Sequence, residues 1–401
     1  MDGLLGAVEQ LADQGSHELA ADIILTLLLK DHNPRDWTSS TALRAGQAAY
    51  LLALHLVQVG STRPADALLR CLGCTLRLAD AVLIHKTGPP LQTRSKQSLS
   101  LGAWVLPAAL PEGLFRQLRE VFSPEAPFWQ QTGYNDPDHP FFSFLYELGD
   151  PAHTAVEAAI HCCKECLSRC GHDMSRVEVA EWWAHKRAAT DAHQLHFDLD
   201  ETRIGSGSAK YKLRHPAYST VLYLSDCGGP TVVLNQTASS APAQDAWLCW
   251  PRENQLLCFP GNFLHGVIPG MPPEQDAGGQ RITLVVVFWE AKLRPQPGAP
   301  GSGPMRALPG ASSARSFLGH VGSDERGAQR QIHRSEWKAA QHVKRPWKDL
   351  TAETGQEQSR GPAAARGAMQ PQIPLPPLRF FLLSPEEISD IYQPQYQRQA
   401  L

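Results

Sequence analysis

The sequence predicts an α+β protein in which a double-stranded β-helix, or jelly roll, lies between an N-terminal helical domain and a largely disordered C-terminal tail. Three observations predict this order. Apolar residues recur every three or four positions in the first ninety residues, and residues from about 175 to 290 fall into short strand-like segments. Beyond residue 293 the composition shifts to proline, glycine, alanine and glutamine. At 401 residues the chain is long enough for more than one unit.

The N-terminal domain, residues 1–90, is defined by helical spacing. One apolar face runs through Leu52, Leu56 and Val59, and a second begins at Leu69 and continues to Leu83. We expect three or four short helices packed as antiparallel hairpins. Such helices serve either as plain scaffold or as a surface for docking a partner.

The central domain, residues 98–292, follows a polar, proline-containing linker at 87–97. It opens with LGAWVLPAALPEGLFRQLREVF, which predicts a short strand, a turn and an amphipathic helix. A helical stretch, AVEAAIHCCKECLSRC, follows, and its cysteines continue an apolar stripe, so we interpret them as core thiols and not as a zinc site. Short strands separated by Gly, Pro and Asp clusters then predict two sheets. These segments are 177–187, 193–201, 219–226, 230–236, 254–259, 263–268 and 281–290.

The tail, residues 293–401, has few large apolar residues, and we expect most of it to lack regular structure. A short helix is predicted near Ser384, where Ser, Pro and Glu form a capping pattern. The stretch PLPPLR, Pro374 to Arg379, fits a weak ligand motif for SH3-like modules, although a stiff spacer explains it equally well.

Composition and charge narrow the compartment and the partners. A net charge of -3 with 19% charged residues gives no global field for nucleic acid or membrane. The chain opens without the basic segment of a signal peptide, and no apolar run reaches membrane-spanning length. We therefore expect an intracellular protein, cytoplasmic or nuclear, whose nine cysteines are reduced thiols.

The stretch HQLHFDLDE, 193–201, carries the first indication of chemistry. Alternation along a strand places His196 and Asp198 on one face, where an imidazole and a carboxylate can reach a single cation. They supply two thirds of the 2-His-1-carboxylate set typical of ferrous iron. Asp200 shares this face and is the rival carboxylate, but the spacing favours Asp198.

Two later segments complete the pattern. His265 lies in an apolar strand after a Pro-Gly turn, where a core histidine has little reason to occur, and it is the candidate third ligand. Arg281 and Thr283 share one face at the head of an otherwise wholly apolar strand. A guanidinium buried there needs an anionic partner, and no acidic residue of the same strand supplies one. A dicarboxylate cosubstrate would supply that anionic partner.

These residues, in this order, together with STVLYLSDCGGPTVV at 219–233, resemble the iron- and 2-oxoglutarate-dependent dioxygenases of the prolyl 4-hydroxylase-like branch. The resemblance covers about residues 98–292. It implies an oxidoreductase in which Fe(II) is held by three protein ligands and the distal carboxylate of 2-oxoglutarate by basic and hydroxyl groups, with ascorbate as the expected reductant. Carried over by motif, the iron ligands are His196, Asp198 and His265, and the cosubstrate residues are Arg281, Thr283 and Tyr223, the last of which is equally well explained as a core tyrosine.

The resemblance implies a reaction but not a substrate. In that family, oxidative decarboxylation releases succinate and carbon dioxide and yields an oxidant that removes hydrogen from a substrate carbon. Prolyl hydroxylases commonly carry a lysine where this chain has Arg281, which weakens a prolyl assignment. We expect hydroxylation of a protein side chain or a small molecule. The alternatives are an AlkB-like nucleic-acid demethylase, less favoured because no basic groove is readable, and a non-catalytic jelly-roll interaction protein. The Gly/Ser-rich loop at 202–217 is a candidate lid or a plain solvated loop.

Overall fold

The computed structural model describes residues 102–132, 143–169, 171–200, 214–270, 279–290 and 337–350, most of 53–84, and short stretches at 293, 305–307 and 318–319. Its helices are α1 (Thr62–Cys71), α2 (Asp80–Leu83), α3 (Glu112–Val121), α4 (Pro127–Thr132) and α5 (Ala155–Arg169). Its strands are β1 (Leu76–Leu78), β2 (Trp104–Leu106), β3 (Ser143–Glu147), β4 (Val179–Ala188), β5 (His193–His196), β6 (Tyr218–Tyr223), β7 (Thr231–Leu234), β8 (Asp245–Cys249), β9 (Gln255–Pro260), β10 (Leu264–Val267), β11 (Gln280–Trp289), β12 (Met305–Ala307), β13 (Lys338–Ala339), β14 (Gln341–Lys344) and β15 (Trp347–Asp349).

Two sheets form the centre of the protein. The larger sheet has the order β12-β3-β4-β11-β6-β9-β2-β13, and the smaller has the order β14-β8-β7-β10-β5. Within both, strands pair antiparallel except for β12 and β3, which run parallel. Mostly antiparallel strands in two sheets fit the predicted jelly-roll class.

The inner faces of the two sheets share one apolar core. Val221 and Val285 of the larger sheet pack in the same cluster as Val233 and Cys249 of the smaller. Trp183 belongs to this inner cluster, whereas its neighbour Trp182 packs on the outer side of the larger sheet. The two tryptophans therefore occupy opposite faces of their strand.

Helices cover the outer face of the larger sheet. Leu118 of α3 and Ile160 of α5 pack in one cluster with Leu284 of β11. The predicted strand, turn and helix at the start of the central domain correspond to β2 and α3, and the predicted cysteine-bearing helix is α5. Cys163 and Cys166 lie in this core, as expected, and burial raises the pKa of the neighbouring Cys162 thiol to about 12.

The N-terminal residues cover the outer face of the smaller sheet. Leu56 and Leu69 pack with Val232 and Leu248 in a single cluster. The second predicted helical face is interrupted, because Leu76–Leu78 forms β1 and pairs with β15 instead of continuing α1. That pairing supplies backbone hydrogen bonds which helical spacing alone does not reveal.

Short stretches of the segment beyond residue 293 form strands. Strands β13 and β14 extend the edges of the larger and smaller sheets, and β15 pairs with β1. The prediction that most of the tail lacks regular structure stays a prediction, and residues 305–307 and 337–350 are its described exceptions. These strands are short and polar, and their order comes from pairing with existing sheet edges. The predicted C-terminal helix and the Pro374 to Arg379 motif lie outside the described residues.

A buried ion network ties β15 to the N-terminal elements. The Asp66 carboxylate pairs with the Nε of Arg77 and the Nζ of Lys348, at 2.5 Å each. Burial raises the pKa of Asp66, but hydrogen bonds from Arg77 and Lys348 outweigh it and hold the pKa below its ordinary value. Among the described residues, no helix has the length and apolar character needed to cross a membrane.

Candidate metal centre

Two antiparallel strands bring the two histidines of the candidate site together. Strand β5 ends at His196, and in its pairing with β10 this residue lies directly opposite His265. Directly opposed residues project to the same face, and the two imidazole rings lie 4.3 Å apart between centroids. Asp198 follows two residues after the end of β5, so it falls on the same side as His196.

The ligand atoms of the three side chains converge. The Nε2 of His196 lies 3.8 Å from Oδ1 of Asp198, and the Nε2 of His265 lies 3.7 Å from Oδ2. One ligand atom from each residue falls within 4.8 Å of the other two. Bonds of about 2.0–2.2 Å to a first-row metal would place neighbouring ligand atoms about 3 Å apart, so small side-chain rotations close the set on one ion.

Neighbouring groups orient two of these ligands. The Nδ1 of His265 lies 2.9 Å from the carbonyl oxygen of Phe263, and donation of its proton to that oxygen leaves the Nε2 lone pair for a metal. The Ser219 hydroxyl donates to Oδ2 of Asp198 at 2.5 Å. His215 donates from Nδ1 to the Asp198 carbonyl oxygen at 2.9 Å, which fixes the backbone beside the carboxylate.

The rival carboxylate points elsewhere. Asp200 is buried, its Oδ2 lies 3.2 Å from Nη1 of Arg214, and its backbone N–H donates to the Arg214 carbonyl oxygen. Residues 201–213, between the two, lie outside the described residues. The structure therefore groups Asp198, and not Asp200, with the two histidines.

One cavity joins the three converging residues to the predicted cosubstrate residues. His196, Asp198 and His265 line it together with Arg281 and Thr283. Apolar side chains form much of the remaining wall: Val221, Phe259, Val267 and Val285. A cavity lined by the His-Asp-His set and by the Arg281 guanidinium suits a ligand with a polar group at each end.

Arg281 is a buried cation without an acidic partner. It is 2% exposed, and its Nη2 donates to the Thr231 hydroxyl at 2.9 Å, while its Nε has no hydrogen-bond partner. No Asp or Glu within the described part of the chain forms an ion pair with it, and burial lowers the pKa of the guanidinium. The Thr283 hydroxyl is also buried without a partner. Within the described ranges nothing neutralises the buried guanidinium or accepts from these two groups, so a ligand that is an anion and an acceptor suits this end of the cavity.

Tyr223 lies behind the cavity. The Arg281 guanidinium carbon is 5.5 Å from the centroid of its ring, and its hydroxyl donates to Thr231 at 2.8 Å. The hydroxyl also lies 3.3 Å from the Cys249 carbonyl oxygen. Burial raises the pKa of Tyr223 well above its ordinary value, so the phenol is a neutral donor.

A glycine makes room for the guanidinium stem. Gly228 has φ +97°, and a Cβ added there would meet Cδ of Arg281 at 2.7 Å. Its neighbour Gly229 could not carry a Cβ either, because that atom would meet the Ile268 carbonyl oxygen at 1.9 Å. The Gly-Gly pair of the turn between β6 and β7 thus allows close approach of backbone to Arg281 and to β10.

Four polar residues of the cavity were not among the site residues predicted from the sequence. They are His185, His193, Ser219 and Thr231. Alternation was a usable signal, because His185 lies two residues from Trp183, and Thr231 two residues from the inward-facing Val233. The Nε2 of His185 accepts from the Trp183 indole at 3.1 Å, and burial lowers the pKa of both His185 and His193 well below the ordinary value.

Comparison with known proteins gives a structural likeness only. No family model matches the chain, and neither does any curated protein. A prolyl-4-hydroxylase from Pseudomonas putida is 17% identical over 48% of this chain and 95% of its own, with a TM-score of 0.32. HygX from Streptomyces hygroscopicus, solved with nickel and 2-oxoglutarate, is 12% identical over 52% of this chain and 92% of its own, with a TM-score of 0.30.

A third similar structure is the viral collagen prolyl hydroxylase of Paramecium Bursaria Chlorella virus-1. It is 11% identical over 51% of this chain and 98% of its own, with a TM-score of 0.28. Because these TM-scores and identities are low, the likenesses carry no argument about activity. The chemistry of the site follows from the chain's own His-Asp-His set and from the buried Arg281 in the same cavity.

Proposed function

We propose that the protein is an Fe(II)- and 2-oxoglutarate-dependent dioxygenase that hydroxylates a protein or small-molecule substrate and releases succinate and carbon dioxide. One observation carries the proposal. A His-Asp-His donor set lines the same cavity as a buried guanidinium that forms no ion pair with any acidic residue of the described ranges. The donor set calls for a metal cation and the guanidinium for an anion. A 2-oxo diacid can chelate the cation with its keto-acid end and pair with Arg281 through its other carboxylate.

The donor set fits ferrous iron. Two imidazole nitrogens and one carboxylate on one side of an ion leave the opposite side open, which is the arrangement of non-haem iron oxygenases. His196, Asp198 and His265 would hold the ion, and Ser219 would keep the Asp198 carboxylate turned toward it. The bound iron would supply the oxidative chemistry with dioxygen and the cosubstrate.

The other end of the cavity fits a carboxylate. Arg281 and Thr283 project from the same face of β11, and each has a buried polar atom without a partner. Arg281 contacts Thr231 of β7. In the pairing of β7 with β10, Thr231 lies opposite Val267. The next residue on the same face of β7, Val233, lies opposite His265. The distance along β7 between Thr231 and Val233 is about 7 Å, which is the order of length of an extended five-carbon diacid.

The test is turnover of 2-oxoglutarate. The purified full chain, supplied with Fe(II), 2-oxoglutarate and ascorbate, should release succinate, first alone and then with fractionated cell extract. Mass spectrometry of the extract should find a component that gains one oxygen, whereas release of formaldehyde would indicate demethylation instead. Arg281→Ala should weaken 2-oxoglutarate binding far more than metal binding, because it removes only the anionic end of the site.

Failure would be equally clear. If metal-replete protein shows neither uncoupled nor substrate-stimulated turnover of 2-oxoglutarate, the enzyme proposal falls and a non-catalytic role becomes the better account. Arg281→Lys is the matched variant: it keeps the charge but loses the bidentate geometry, so we expect an intermediate affinity for 2-oxoglutarate.

A further inference from the structure

We propose that the substrate oxidised at this site carries a carboxylate, and that this group enters between β4 and β5 and binds to Arg187 and His193. The inference rests on the proposed function and names the substrate class that the function leaves open. Its evidence comes from the hairpin of β4 and β5, and from side chains that neither the metal nor 2-oxoglutarate requires.

The cavity at the candidate metal centre opens toward solvent on the side of β4 and β5. Among the residues that line it, His185, His193 and His196 are partly exposed, and the others are buried. The side chain of His196 is 28% exposed, against 9% for His265 and 7% for Asp198. His185 lies on β4, and His193 and His196 lie on β5. A substrate can therefore approach the metal ligands between these two strands.

Arg187 brings a second guanidinium to this opening. Alternation along β4 places it on the same face as Trp183 and His185, which line the cavity. In the pairing of β4 with β11 it lies directly opposite Arg281. Like charges in directly opposed positions destabilise a sheet, and burial lowers the pKa of both guanidinium groups. Since the diacid supplies an anion for Arg281 alone, a second anion suits Arg187.

The described residues leave most of the Arg187 guanidinium without partners. Its one hydrogen bond within them runs from Nη1 to the Ala192 carbonyl oxygen, at a long 3.3 Å. Asp191 offsets part of the lowering of the Arg187 pKa, but it forms no ion pair with Arg187. The Asp191 side chain is exposed, and its Oδ2 accepts from the Ala188 backbone N–H. Because a guanidinium has five N–H donors, Arg187 has donors left for a ligand.

Two imidazoles connect this guanidinium to the metal ligands. The ring centroids of His185 and His193 lie 5.2 Å apart, and those of His193 and His196 lie 4.8 Å apart. Within the described ranges His193 has these ring contacts but no hydrogen bond, so its ring N–H can donate to a ligand. The Trp183 indole donates to Nε2 of His185 at 3.1 Å and holds that ring as a wall of the path. A carboxylate bound at Arg187 and His193 would place the reacting carbon several bonds away, toward His196.

The charge of the occupied site favours a group with one negative charge. Asp198 is the one acidic residue among those that line the cavity. The charges of Fe(II), doubly negative 2-oxoglutarate, Asp198 and Arg281 cancel, so Arg187 adds one positive charge. A carboxylate matches this charge and accepts from a guanidinium in a bidentate pair. A phosphate monoester carries about -1.5 to -2 at neutral pH and would leave an excess of negative charge.

Broadening of probe NMR signals by Mn(II) tests this on the full chain loaded with Mn(II) and saturating 2-oxoglutarate. A paramagnetic ion broadens the signals of molecules that bind close to it. The probes are small carboxylic acids, each paired with its primary amide, such as hexanoate with hexanamide and 3-phenylpropanoate with 3-phenylpropanamide. Short peptides with one glutamate, paired with their glutamine counterparts, distinguish an acidic side chain from a free acid. In one of the two series the acids should be broadened more than the amides.

Variants of Arg187 and His193 assign the effect to these residues. Arg187→Gln should weaken binding of the broadened acids by about 10- to 100-fold, the value of a lost hydrogen bond between charged groups, and should leave the amides unaffected. Arg187→Lys keeps the charge and should retain part of the affinity. His193→Phe keeps a ring and removes the N–H, so it should weaken acid binding by a smaller factor. Arg187→Met replaces the glutamine variant if that variant does not fold.

Lys186→Gln is the matched control. It removes a positive charge from the same strand, but Lys186 lies on the opposite face and donates to the Pro124 carbonyl oxygen, so acid binding should stay unchanged. Equal broadening of acids and amides by wild type, or acid binding that survives Arg187→Gln, would overturn the inference. Loss of 2-oxoglutarate binding in Arg187→Gln would also overturn it, because Arg187 would then serve the cosubstrate. If Mn(II)-loaded wild type binds no 2-oxoglutarate, the proposed function itself is rejected.

Discussion

At the scale of single residues, the Asp198 carboxylate is the centre of the candidate metal site, because it lies beside both histidine ligands and receives the Ser219 hydroxyl. Asp198→Ala should abolish binding of Fe(II) or Mn(II), whereas Ser219→Ala should weaken it by about 10- to 100-fold through loss of the orienting hydrogen bond. Equilibrium dialysis measures both. Asp200→Asn is the control: metal binding that survives Asp198→Ala but not Asp200→Asn would reverse the assignment.

A second prediction at this scale concerns Gly228. Its positive φ and its contact with the Arg281 stem leave no room for a methyl group. Gly228→Ala should displace the guanidinium, lower 2-oxoglutarate affinity more than metal affinity, and cost about 1–3 kcal/mol of stability from backbone strain. Gly149→Ala is the matched control, because a Cβ there meets nothing within 4 Å. Equal effects of the two substitutions on 2-oxoglutarate binding would contradict the packing argument.

Site residues could be predicted from the sequence where their type is unusual for the strand in which they lie. Alternation along 193–201 and a histidine or an arginine in an otherwise apolar strand were enough to select His196, Asp198, His265 and Arg281. Ser219 and Thr231 were not predicted as site residues, because serine and threonine are common in strands and do not stand out from the strand pattern. Only the pairing of distant strands reveals that these hydroxyls face Asp198 and Arg281.

At the scale of elements, the pairing of β1 with β15 joins residues that are distant in sequence, and the Asp66 network stabilises that junction. Asp66→Ala should lower the free energy of unfolding by about 3–5 kcal/mol, because it leaves the buried Arg77 guanidinium without this carboxylate. Asp80→Ala, at a carboxylate 44% exposed, should cost far less. Urea unfolding followed by circular dichroism measures both, and similar midpoints for the two variants would show that the network does not stabilise the junction.

Strands with their own pattern were predictable, whereas strands that form only by pairing were not. The strand β11, apolar beyond Thr283, and the strand β5, which lies in the alternating stretch 193–201, can be identified from sequence. Strands β13, β14 and β15 are two to four residues long and carry lysine, histidine and glutamine, so they have no apolar period to detect. They are ordered because β2, β8 and β1 offer open edges to them.

At the scale of the whole molecule, buried histidines should make stability depend on pH. Burial lowers the pKa of His161, His172 and His185 below the ordinary value of 6.5. The unfolded chain therefore binds more protons than the folded chain once the pH falls below 6.5, and stability decreases in that direction. Unfolding of metal-free protein between about pH 7.5 and 5.5, above the carboxylate range, should show this decrease.

His172 provides the control for the pH prediction. Its ring packs against Tyr218 with centroids 4.7 Å apart, and its Nε2 is buried without a partner. His172→Phe keeps an aromatic ring at this position and removes the titrating group, so the decrease in stability at low pH should become smaller. A stability that stays constant or rises from pH 7.5 to 5.5 would contradict the account.

The central claim is that one cavity holds a metal ion at His196, Asp198 and His265 and a diacid between that ion and Arg281. The most direct measurement is the affinity of the full chain for 2-oxoglutarate with and without Mn(II). The account predicts one bound 2-oxoglutarate per chain and an affinity that rises when the metal is present, with metal affinity rising by the same factor when 2-oxoglutarate is present. Binding of 2-oxoglutarate that is indifferent to the metal, or no binding in metal-loaded protein, would contradict it.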